Sequence, residues 1–154
     1  MAQIQFANAN QINAEWLTYL ANEAETLASQ DDDYIESYVD NEVNNPQVQE
    51  FLDNMPEDNT RIDAMTDLAA VAVHASPTFI FKWKRLKEKI RKILCEVLAV
   101  IEGQYTWADL IQKVLLALLP VFAGGIPALA LPIIVYFVAK LIKRGADIVC
   151  PVAA

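Results

Sequence analysis

At 154 residues and 17.2 kDa the chain has room for one ordinary domain, or for a small domain plus a membrane segment. Its four glycines, its long stretches at helical spacing and its lack of a series of alternating strands argue against an all-β fold and put an all-α helical bundle first. The net charge of −8 conceals a division: residues 1–67 carry fifteen acids against Arg61 alone, a net of −14, and residues 68–154 carry eleven bases against five acids, a net of +6. Such asymmetry implies two parts that face each other or that have different partners.

Residues 1–11 are polar and small apart from Ile4 and Phe6, so a loose N-terminus is expected. Asn13 is placed to cap a helix starting at Ala14, with Trp16, Leu17, Leu20, Ala24 and Leu27 on one face and an end near Ser29. Asp31, Asp32 and Asp33 then favour the positive end of a second helix, whose apolar stripe is Tyr34, Ile35, Tyr38 and Val39. Asn44, Asn45 and Pro46 break it, and Pro46 opens a short third helix carrying Val48, Phe51 and Leu52.

The polar stretch 54–59 is the best boundary, dividing an acidic N-terminal helical region, 1–58, from a basic and apolar C-terminal region, 59–154. A helix over 62–75, rich in Ala and Val, is expected to be buried, and Ser76 and Pro77 start the next one. Phe79, Trp83, Leu86, Ile90, Ile93 and Val97 recur there at alternating steps of four and three, as does Val100, a helix-pairing seam of the coiled-coil kind. Lys82, Lys84, Arg85, Lys87, Lys89, Arg91 and Lys92 give the same helix a basic surface, and Gly103 ends it.

Thr106 and Asp109 stand at capping-box spacing and open a helix to about Leu119. Residues 114–139 carry no charge, a length able to cross a bilayer. Pro120, Pro127, Pro132 and the pair Gly124 and Gly125 divide that run into a hinged hairpin, whose second arm runs from about Pro127 to Arg144 and stops at Gly145. The expected membrane or oligomer contacts on this hairpin are Trp107, Leu115, Leu118, Phe122, Ile126, Leu131, Ile134 and Phe137.

The leading functional expectation is a non-enzymatic helical protein whose hairpin enters a membrane as a transmembrane element or assembles into a homo-oligomer. A pore-forming effector regulated by the acidic region is its sharpest form. The alternative is a soluble interaction or scaffold protein that buries the hairpin in its own bundle or oligomer. Lipid headgroups suit the basic helix next to an apolar pair, and a protein partner suits the acidic region. Nucleic acid ranks last, because no basic and aromatic surface extends beyond the one helix.

Arg61, isolated in polar sequence, is a candidate processing site. The cluster Asp31, Asp32, Asp33 and Glu36 lacks the glycine and spacing of a calcium loop, and His74 has no nucleophile beside it, so no metal, cofactor or catalysis is expected. Residues 1–13 lack the basic start and apolar core of a signal peptide, which gives an intracellular location, cytoplasmic or at a membrane. Cys95 reads as a small core hydrophobe and Cys150 as a thiol near the chain end open to oxidation or acylation, both free in a reducing compartment.

Overall fold

The computed structural model describes residues 4–40, 46, 77–101, 103–122 and 125–150. The expected third helix beyond Pro46, the boundary at 58/59, Arg61, the 62–75 helix, His74 and the side chain of Phe79 lie outside them. The described chain is mostly helical. Strand β1 (Ile4–Phe6) and a 3-10 turn (Ala9–Gln11) precede helices α1 (Ala14–Ala28), α2 (Asp32–Asp40), α3 (Pro77–Val100) and α4 (Trp107–Leu118). Strand β2 (Ile126–Pro127), α5 (Ala130–Arg144) and the short α6 (Ala146–Val149) complete it.

Local chemistry sets the helix ends. Asn13 Oδ1 accepts from Trp16 N at 3.1 Å, and Asp31 Oδ1 from Tyr34 N at 2.8 Å, so each helix start gains a partner for an orphan amide. Thr106 and Asp109 exchange side-chain and backbone bonds at 3.1 Å in both directions, a full capping box. Gly145 ends α5 at φ +90° and ψ 168°, a backbone region reserved for glycine, and turns the chain directly into α6.

Residues 4–11 are not loose. Phe6 pairs with Ile126 and Ile4 with Pro127 in an antiparallel ladder, and both Phe6 and Ile126 are buried. Phe6 also meets Trp16 edge-to-face at 5.7 Å, which ties the first residues to α1. Residues 126–127 therefore belong to a strand, and α5 begins at Ala130 rather than at Pro127.

The core forms around α5, which packs against α1, α2, α3 and α6. From Ile133 to Ala139 every residue of α5 is buried, so no face of that stretch is left to solvent. Helix α4 packs against α1 and α3. The two apolar helices thus make no extended contact with each other; α1 and α3 are common neighbours of both, and the expected hairpin is splayed open.

The buried stripe of α3 is Trp83, Leu86, Ile90, Leu94 and Val97, with Ile93 half-buried and Val100 74% exposed. A straight helix of 3.6 residues per turn drifts away from a strict heptad, and Leu94 takes the inward position that Ile93 would hold in a supercoil.

Both cysteines are consumed. Cys95 on α3 and Cys150 after α6 form a disulfide across 55 positions, with a Cα–Cα distance of 5.6 Å. The expectation of two free thiols is overturned: the turn at Gly145 brings the end of the chain back onto α3, a closure that sequence spacing does not reveal. Arg91, one turn before Cys95, fastens the same junction by donating from Nη1 to the Val149 carbonyl at 3.0 Å.

Candidate functional site

The acidic and basic parts of the chain meet along α2. Asp32, Glu36 and Asp40 recur every four residues and so occupy one side of that helix. Lys143 approaches Asp32 at 3.2 Å and Arg144 also pairs with it; Lys140 lies 3.1 Å from Glu36, and Lys87 of α3 lies 3.1 Å from Asp40. Because Asp32 meets the last turn of α5 and Glu36 meets the turn before it, the two helices run antiparallel. The arrangement also suits the helix dipoles, with carboxylates at the start of α2 and cations at the end of α5. Lys143 additionally donates to the Gln30 carbonyl at 2.5 Å.

The centre of this ladder is Tyr136. Its hydroxyl donates to Glu36 Oε1 at 2.7 Å and accepts from Lys140 Nζ at 3.2 Å, while the same ammonium stands 5.2 Å from the tyrosine ring centroid. Burial and the neighbouring Glu36 carboxylate push the Tyr136 phenol well above its ordinary pKa. For Glu36, partial burial works against the charged form, but the hydrogen bonds from Tyr136 and Lys140 and the charges of Lys140 and Lys87 outweigh it and lower its pKa. A phenol held protonated beside a carboxylate held ionised is a latch rather than an acid–base pair. A cleft of about 220 Å³ lies beside it, with Ile35 and Ile148 among its walls.

Among the basic residues expected on α3, Lys89 and Lys92 are exposed, whereas Lys82, Lys84, Arg85, Lys87 and Arg91 are half-buried. Arg91 pairs with Glu88 three residues earlier, which lowers the Glu88 pKa and raises that of Arg91. Lys87 is drawn to Asp40 and also lies 5.8 Å from the Trp83 ring centroid. The basic helix therefore directs part of its charge inward.

Of the expected membrane or oligomer contacts, Leu115, Leu118, Ile126, Leu131, Ile134 and Phe137 are buried in the fold, and Trp107 and Phe122 are half-buried against the same core. No described helix is long and apolar enough to cross a membrane. No group of three or more His, Cys, Asp or Glu is placed to hold a metal among the described residues.

Sequence reasoning did not single out Glu36 with Tyr136, nor Asp32 and Asp40 with their partners. The available signal was the four-residue spacing of Asp32, Glu36 and Asp40 opposite Tyr136, Lys140 and Arg144, which also recur every four. Compared with protein-family models, with curated proteins and with solved structures, the chain matches none.

Proposed function

We propose that the chain is a non-enzymatic helical interaction protein that buries its apolar C-terminal helices within its own bundle and presents the acidic N-terminal helices to a partner. The observation that carries this reading is the unbroken burial from Ile133 to Ala139: a helix apolar on all sides already has its cover in α1, α2, α3 and α6. At 15 residues α5 is about 22 Å long, short of a hydrocarbon core of about 30 Å. Light scattering behind size exclusion, in buffer without detergent, is the test. A monodisperse 17.2 kDa species supports the proposal, and a protein that needs detergent to stay in solution sinks it.

A second reading is membrane entry or self-assembly after α2 opens. It draws on the ladder itself, since Asp32, Glu36 and Asp40 are each more than half exposed and salt weakens such pairs. Dye release from anionic vesicles that rises with acidity supports it; vesicles that stay sealed from pH 7 to pH 4 remove it.

A further inference from the structure

Asp32, Glu36 and Asp40 of α2 have cationic partners, but among the described residues the carboxylates of α1 that flank an aromatic groove do not. A groove of about 550 Å³ runs between α1 and the first half of α5. Its inner wall is Trp16 and Leu20, one turn apart on α1, facing Leu131 and Val135, one turn apart on α5. Its rim is Glu15, Tyr19 and Glu23, again at four-residue steps, with Tyr19 54% exposed between the two acids. No Lys or Arg is among the described residues that line it, and neither Glu15 nor Glu23 makes an ion pair among the described residues.

We infer that this groove docks a basic amphipathic helix of a partner protein, taking its apolar face between α1 and α5 and its cations at Glu15 and Glu23. The inference rests on the proposed interaction role and names the partner's chemistry. Three features argue for it. Among the described residues the two carboxylates have no cationic partner, and they stand about 12 Å apart along α1, a distance that Lys or Arg side chains seven residues apart on a helix would span. The aromatic rings between them offer both apolar contact and a face for a cation. The rim is built on a rigid element: Trp16 is held between Phe6 at 5.7 Å and Tyr19 at 5.9 Å, both edge-to-face. The walls thus exist before a partner arrives, which lowers the ordering cost of binding.

Fluorescence anisotropy tests this with a labelled Leu/Ala helix carrying lysines seven positions apart, and with its glutamate counterpart, on the 154-residue disulfide-bonded chain. Saturable binding of the lysine peptide alone is expected. Glu15→Gln with Glu23→Gln together should weaken it about tenfold, in line with two partly exposed ion pairs. Tyr19→Ala should weaken it and Tyr19→Phe restore it, whereas Glu25→Gln, the loss of one carboxylate at an exposed position outside the groove, should leave it unaltered. Equal weakening by Glu25→Gln, or no saturable binding, overturns the inference. Molecular mass measured on the same samples separates the two levels: a monomer that fails to bind defeats only the groove, and an aggregate or detergent-dependent species defeats the interaction role beneath it.

Discussion

Tyr136 donates a hydrogen bond of 2.7 Å to Glu36, joining two residues 100 positions apart in the chain. The pair holds α2 to α5 and makes the stability of that contact depend on pH in two directions.

On the acid side, the folded protein holds the Glu36 pKa below its ordinary 4.5, so the unfolded state binds the proton more readily. The contribution of Glu36 is therefore complete above the ordinary value and disappears as pH falls through the lowered one. The side chain is 52% exposed, so solvent screening keeps the effect to about 1 kcal/mol or less. Urea midpoints from pH 7 to pH 3 should fall less steeply for Glu36→Gln than for the natural chain.

On the alkaline side the sign reverses. The folded pKa of Tyr136 lies above the ordinary 10, so its contribution is complete below that value and is lost as pH rises through the raised one. Absorbance at 295 nm should show a late ionising step in the natural chain that Tyr136→Phe lacks. Loss of that hydrogen bond at neutral pH should cost about 1 kcal/mol by urea denaturation.

The disulfide closes a loop of 55 positions that contains α4 and α5. Chain-entropy arguments give such a cross-link about 4 kcal/mol. Reduction, or Cys95→Ser with Cys150→Ser, should lower the urea midpoint accordingly, and a thiol assay on the native protein should find no free sulfhydryl.

Leu115 is fully buried and its neighbour Leu116 is 42% exposed. Leu115→Ala should cost about 2–5 kcal/mol and Leu116→Ala less than about 0.5 kcal/mol. Similar costs at the two positions would mean that α4 is not covered as described.

Gly145→Ala meets no atom within 4 Å of the added Cβ, yet places a side chain at φ +90°. Backbone strain alone should cost about 1–3 kcal/mol. Faster amide exchange confined to α6 and the last turn of α5 is the expected signature.

What the sequence makes legible here is local. The Asn13 cap, the Thr106–Asp109 box and the Gly145 stop all depend on residues a few positions apart, and the structure has each of them. The buried face of α3 holds Trp83, Leu86, Ile90 and Val97 at the expected spacing but takes Leu94 in place of Ile93, where straight-helix geometry replaces the heptad. Ile4–Phe6 is too short to display strand alternation, and its pairing with Ile126 is fixed only by the tertiary fold. The same holds for the disulfide and for the α2 ladder. Each joins residues whose partners lie dozens of positions away, and spacing within one helix does not name the partner. The charge asymmetry leaves open whether the acidic part faces the basic one or a different partner, and it does not point to Tyr136 and the end of α5 as the neighbours of α2.

The position of α1 against α5 has a consequence for the order of events on the ribosome. Ala28 is made 116 positions before Arg144, which at about 5–20 residues per second is roughly 6–23 s of synthesis. The most extensively buried helix of the described chain thus appears when the helix that shelters it is already waiting. The chain exposes its sticky part late, to a partner already made, and the interval for misassociation with neighbours is short.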